Sequence, residues 1–174
     1  KVRSRQTNKP DKYIVSECVK VLRDELPYNL HIFVNSVEFI AKVIDTLKLA
    51  PEAVKIVCST SGDSRQENQR KLGNAYPIGQ PSDPAKKINF YTSTCFEGCD
   101  IFDPDGVTFI VSDGRKAHTL LDISTLFTQI CGRIRDSRYK TQIVHVYSTT
   151  KYSKAVTLDE FVAATQRTRA GAEK

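Results

Sequence analysis

Gln129, Arg133 and Arg135 fall close together in the stretch "FTQICGRIRDSRYK", residues 127–140, with Gly132 among them. A guanidinium stays charged and donates two parallel hydrogen bonds, so an arginine fixed at a helix end suits phosphate oxygens. If Leu120 to Gly132 is helical, Gln129 and Arg133 stand four apart and share a face. Gly132 is then placed to end the helix. Arg133 and Arg135, two apart, would point nearly oppositely on a continuing helix, so they converge only if the chain unwinds around Gly132. The bland alternative is a solvated basic helix end that complements its own dipole.

A second segment, "INFYTSTCFEGCDI", Ile88 to Ile101, runs from a strand-like stretch into Thr92, Ser93 and Thr94, then Gly98 and Asp100. Gly98 permits a tight turn or close backbone approach. Asp100 offers a carboxylate that can accept from a ribose hydroxyl or pair with a cation. The alternative is an ordinary turn leading into "DPDG", itself a turn sequence. Other chemistries lack their marks. The chain has no G-x-x-x-x-G-K-[ST] loop, no G-x-G-x-x-G and no G-x-S-x-G elbow. His31, His118 and His145 are scattered, and His31 and His145 lie in expected strands, so structural roles are expected for them. Cys95 and Cys99 form a C-x3-C with no second pair or nearby His, so no metal site is expected.

The elements that must position these groups read as an alternation. Residues 1–10 are polar and basic and are expected to be a disordered arm, with residues 11–174 forming one domain. A helix is expected from Asp11 to Leu26, then the strand "NLHIFVNS" and the helix "VEFIAKVIDTLKL", stopped by Pro51. "AVKIVCSTS" reads as a strand and "DSRQENQRKL" as a polar helix; "GNAYPIGQPSDPAK" is a loop. "KINFYTST", "GVTFIVSD" and "TQIVHVYSTT" complete the strands, "TLLDISTLFTQICGRI" reads as a helix, and "TLDEFVAATQRT" as a last one with a capping box of Thr157 and Glu160. Apolar strands separated by amphipathic helices predict an α/β fold, a parallel sheet covered by helices on both faces. In such sheets ligands gather at the carboxyl ends of the strands. Those ends carry Asn35-Ser36, Ser59-Thr60-Ser61-Gly62, Thr92-Ser93-Thr94, Ser112-Asp113-Gly114 and Tyr147-Ser148-Thr149-Thr150. Any one of these could be a helix cap; together they predict a polar rim suited to phosphate oxygens.

Composition sets the outer bounds. A chain of 174 residues suffices for one domain with a hydrophobic core. A net charge of +6 and a pI near 9.1 favour an anionic partner such as nucleic acid. No apolar run approaches the ~20 residues of a membrane span, and no signal peptide is expected. The five cysteines, mostly in apolar segments, read as buried thiols of a reducing intracellular compartment, cytoplasmic or nuclear/nucleoid. The absence of Met, even at position 1, leads us to expect a piece of a longer protein.

"HIFVNSVEF", "CSTSGDSRQENQR", "INFYTSTCFEGCDI" and "QICGRIRDS" occur in the order and at roughly the spacing of motifs IV through VI of superfamily 2 helicases. Over about residues 28–150 the chain resembles their second, C-terminal RecA-like domain, and "QICGRIRD" is most similar to the herpesvirus origin-binding protein group of DNA helicases. The resemblance implies a three-layer RecA-like sheet and a set of roles. Arg133 would be an arginine finger reaching a nucleotide, and Gln129 would couple nucleotide to the interface. Gly98 and Asp100 would lie near ribose and finger. Thr92, Ser93 and Thr94 would touch the nucleic-acid backbone, as would Ser36, Thr60 and Gly62. ATP and magnesium would be held mainly by an N-terminal RecA-like domain, the nucleic acid would be DNA rather than RNA, and this lobe alone would not hydrolyse ATP. The chain departs from the pattern at two places: Asp136 stands where motif VI usually has its second arginine, with Arg135 one position early and open as a finger, a nucleic-acid contact or a structural pair with Asp136, and Glu97 replaces an Arg or small apolar residue in motif V. Two other readings remain open: a non-catalytic nucleic-acid-binding module, and a small-molecule enzyme with a nucleotide-like ligand in a deep pocket.

Overall fold

A computed structural model describes residues 1–121 and 123–149. Six strands, β1 (Val2–Gln6), β2 (Asn29–Phe33), β3 (Val54–Val57), β4 (Ile88–Tyr91), β5 (Gly106–Asp113) and β6 (Ile143–Ser148), form one sheet. Their order is β1-β6-β5-β2-β4-β3, and every pairing is parallel. All strand carboxyl ends therefore share one edge. Among the described residues four α-helices accompany them: α1 (Pro10–Leu22), α2 (Val37–Leu47), α3 (Ser64–Leu72) and the short α4 (Thr128–Cys131). The expected last helix, with Thr157 and Glu160, lies outside the described residues, as does Thr150.

The sheet is the middle of three layers, as the sequence predicts. On the first face Leu30, Ile32, Ile56, Phe90, Phe109 and Val146 meet Ile14, Cys18 and Val21 of α1 and Ile40, Val43 and Ile44 of α2. The apolar residues of α2 recur at three- and four-residue intervals, which gathers them into one stripe. Ser36 caps that helix, accepting from the Phe39 N–H at 3.2 Å. On the second face Phe33, Val57, Tyr91 and Ile110 meet Cys95, Phe96, Ile101, Ile130 and Ile134. The two-residue alternation along each strand divides the two cores.

A buried polar row crosses the second face. Lys55, Asn89, His31 and Thr108 sit in register on four adjacent strands and are nearly inaccessible. Here the sheet is covered by turns, whose backbone groups need partners. Lys55 Nζ donates to the carbonyls of Pro81 and Asp83 at 2.8 and 2.6 Å. Asn89 donates to the Leu30 and Lys86 carbonyls and accepts from the Lys86 N–H. Among the described residues no buried side-chain nitrogen or oxygen lacks a partner.

Three expectations need correction. The N-terminal arm is ordered: Val2–Gln6 pairs with Ile143–Tyr147 as an edge strand. All five residues are exposed and two are arginines, so no apolar alternation marks them as a strand; backbone pairing alone places them. The first helix stops at Leu22 rather than Leu26, because Arg23 ends it and Asp24 takes a left-handed φ of 56°. The long helix expected over residues 119–134 is broken. A wide π turn spans Ile123–Phe127, α4 follows for four residues, and Gly132 ends it at φ −98°, an ordinary conformation rather than the left-handed one a glycine stop often uses.

Candidate functional site

Beyond Gly132 the chain becomes extended, and Ile134 forms a parallel bridge with Ile101. The Ile101 N–H donates to the Arg133 carbonyl at 2.9 Å, and the Arg135 N–H donates to the Ile101 carbonyl at 3.1 Å. Both isoleucines are buried, so their neighbours alternate outward. This brings together the residues singled out in the two separate segments. Arg133 is half-buried: its Nε donates to the Gln129 carbonyl at 2.9 Å and its Nη1 to the Cys99 carbonyl at 3.0 Å. One guanidinium thus caps the end of α4 and holds the 97–101 turn against it. Gly98 gives that turn its φ of 72°, with open space where a Cβ would stand. Arg135 is different. Its side chain is 51% exposed and its Nε donates to Asp100, itself 49% exposed, at 2.7 Å. Exposed pairs contribute only about 0–1 kcal/mol, so Arg135 can leave Asp100 at small cost.

Asp136, where a second arginine was expected, has a structural use: its carboxylate accepts from the Asp103 N–H at 2.8 Å. Ser137 Oγ donates to the Gly106 carbonyl at 2.6 Å, and Arg138 pairs with Asp105. The arginine segment therefore rests on the Asp103–Gly106 turn. That turn is anchored in turn by His31, whose Nε2 lies 2.7 Å from Asp103 Oδ2 and whose Nδ1 lies 3.0 Å from the Tyr91 hydroxyl. Burial pushes the His31 pKa below its ordinary value, against the pull of Asp103. Burial alone would raise Asp103, but hydrogen bonds from His31, Asn29 and the Asp105 N–H hold it below the usual carboxylate range. The two directions agree on a neutral ring donating from Nε2 to a carboxylate, with Tyr91 donating to Nδ1.

The carboxyl-edge rim divides into buried and exposed groups. Ser36 and Thr92 are buried: Ser36 caps α2, and the Thr92 N–H donates to the Val57 carbonyl. Thr60, Gly62, Ser93 and Thr94 are exposed. They follow β3 and β4, neighbours in the sheet, while the Ser93 N–H leans on Asn35 Oδ1 after β2. A shallow cleft of about 230 Å³ opens here, lined by Asn35, Ser36, Asn68, Lys71, Thr92 and His118. Further along, Ser148 Oγ and Arg115 both donate to Asp113, and hydrogen bonding from Arg115 holds that carboxyl well below its ordinary range. Ser112 is spent on His145. The turn Ser93–Cys95 links the rim to the arginine strip, with the Cys99 thiol donating to the Cys95 carbonyl at 3.1 Å.

Sequence reasoning expected a structural role for His31 but did not connect it, or Asp103 and Asp136, with the strip. The signal was present: "DPDG" begins three residues after Asp100, and His31 interrupts an apolar strand. All five cysteines are free thiols. Burial pushes the Cys95 and Cys18 thiols up to about 12. Among the described residues, no helix is long and apolar enough to cross a membrane. No family model matches this chain, and no curated protein matches it.

Proposed function

We propose that this chain is the second motor lobe of an ATP-dependent nucleic-acid helicase or translocase. The observation that carries the reading is the bridge between Ile101 and Ile134. It sets Gly98 and Asp100 beside Gln129, Arg133 and Arg135 from a segment some thirty residues away in sequence. In this reading Arg135, held by one exposed carboxylate, exchanges Asp100 for a phosphate oxygen of a nucleotide gripped by a preceding RecA-like domain. Arg133 keeps the two segments in register while that happens, and Gln129 supplies the carbonyl it grips. Arginine fingers contribute ~10³–10⁵ in rate to phosphoryl transfer. Closure of the two domains would assemble the site, and opening would shift the grip of Thr60, Gly62, Ser93 and Thr94 on a nucleic-acid backbone, with DNA favoured. Among the described residues no group of three or more His, Cys, Asp or Glu side chains is placed to hold a metal ion. In this reading magnesium belongs to the other domain, and no step here passes through it.

The test is to measure ATP hydrolysis by residues 1–174 with and without single-stranded DNA, alone and after joining to a RecA-like domain that carries a GK[ST] loop. The lobe alone should not turn over. The joined protein should, and Arg135→Ala should abolish it. Turnover by the lobe alone, or an unchanged rate in the joined Arg135→Ala protein, would overturn the assignment. One observation favours the static nucleic-acid-binding module instead: Arg133, which the resemblance makes the finger, has two of its nitrogens committed to backbone carbonyls. That module predicts salt-dependent DNA binding with no turnover in either protein.

A further inference from the structure

The strip that carries Arg135 also carries the most exposed large hydrophobic side chain among the described residues. Phe102 is 67% accessible. Isolated exposed apolar residues are common and usually mean nothing. This one is held out by rigid backbone. Its predecessor Ile101 is buried and bonded through both N–H and carbonyl to the arginine strand, and its successor Asp103 is buried and bonded through its N–H to Asp136. At the isolated Ile101–Ile134 bridge Ile101 is buried while its two exposed neighbours, Asp100 and Phe102, face outward, two residues and about 7 Å apart. Arg135 lies across from them, its guanidinium on Asp100.

We infer that Asp100, Phe102 and Arg135 form a binding strip for a nucleobase with its attached phosphate. The inference deepens the reading above, because it names the ligand chemistry of that same face. The phenyl ring offers a π-face on which any base stacks, at a cost in affinity of about 5- to 150-fold when the ring is removed. The guanidinium supplies the bidentate charge a phosphate takes. The carboxylate, released from Arg135, accepts from a sugar hydroxyl or an exocyclic amine. An apolar small molecule would leave the Arg–Asp pair unused, whereas a nucleotide engages all three groups at once. The same chemistry is offered by a mononucleotide and by a single strand.

The chain contains no tryptophan, so Phe102→Trp introduces a sole indole at the proposed stacking position. The substitution is on the surface and should leave the melting curve unchanged. Titration with ATP, with a single-stranded oligonucleotide and with inorganic tripolyphosphate then separates the possibilities. Saturable quenching by ATP identifies a mononucleotide site; quenching by the oligonucleotide alone identifies a strand site; either supports the inference. In both cases Arg135→Ala in the same background should weaken the interaction at least tenfold, and Phe102→Ala, read by calorimetry, should weaken it by about 5- to 150-fold. Absence of quenching by both ligands at millimolar concentration overturns the strip. So does an ATP affinity that tripolyphosphate matches and Phe102→Ala leaves unchanged. So does a blue-shifted, concentration-dependent emission without ligand, which would mean that a second copy covers the ring. The strip and the motor reading fail separately. Base binding without turnover in the joined protein removes the motor, and turnover indifferent to Phe102→Ala removes the strip.

Discussion

Two arginines two positions apart do different work, and stability measurements should separate them. Arg133 ties the end of α4 to the 97–101 turn through two backbone carbonyls. Hydrogen bonds to charged groups are worth about 1.5–3 kcal/mol each, so Arg133→Ala should lower unfolding stability by about 2 kcal/mol or more, read as a shift in urea midpoint. Arg133→Lys should recover little, since a single ammonium does not reproduce the fork. Arg135→Ala removes only an exposed pair and should change stability by about 0–1 kcal/mol. Equal losses in the two variants would mean that the division of labour is wrong. The residue types in this cluster were legible from spacing alone, but their division was not. Which arginine meets a carbonyl and which a carboxylate depends on where the helix stops, and Gly132 ends it without the left-handed turn that would have marked the position. Asp136 reads in sequence as a missing arginine; in the fold it is the acceptor that seats the neighbouring turn.

At the level of elements, the parallel sheet and the first-face helices follow from pattern, because β2 to β6 and α2 carry apolar periodicity that burial enforces. The second face was harder to read, since turns cover much of it and turns bring polar residues into strands. His31, Lys55 and Asn89 interrupt otherwise apolar strands for this reason. The closeness of that packing predicts a sensitive site at the start of β5. A Cβ on Gly106 would stand 2.9 Å from His31 Cδ2 and 3.2 Å from Ile134 Cδ1. Gly106→Ala should therefore cost about 1–3 kcal/mol and loosen the Ile101–Ile134 bridge, visible as faster amide exchange at Ile101 and Arg135. Unchanged exchange would show that the strip does not depend on this support. The edge strand β1 was not legible at all, for its residues carry no buried side chain.

For the molecule as a whole, the His31–Asp103 pair gives stability an acid limit. An unfolded histidine takes up a proton near pH 6.5, while burial keeps the folded ring neutral to lower pH. The unfolded state thus binds more protons in that interval, and stability should fall as pH drops below about 6.5. Asp103, held below its ordinary 3.8, adds a second loss as the pH falls below about 4. Replacing His31 with Gln should flatten the first slope in denaturant midpoints collected from pH 7 to 5; an identical slope would place the acid limit elsewhere. The net charge of +6 belongs to this scale too. On the proposed reading, oligonucleotide affinity should fall steeply with added salt, and Ser93→Ala with Thr94→Ala should weaken binding without changing that slope, because hydroxyls release no counterions.

The sheet's two margins are guarded by different means. Beyond β3, the chain folds back so that the Gly79 N–H meets the Ile56 carbonyl, and Lys55 clamps the returning loop. Among the described residues no strand follows β1 in the sheet, and the side chains there include Arg3 and Arg5. Within the described residues one border is sealed by covalent continuity, the other by like-charge repulsion between approaching copies. Concentrated electrolyte should weaken the second safeguard and leave the first intact, so self-association by strand addition should begin at β1.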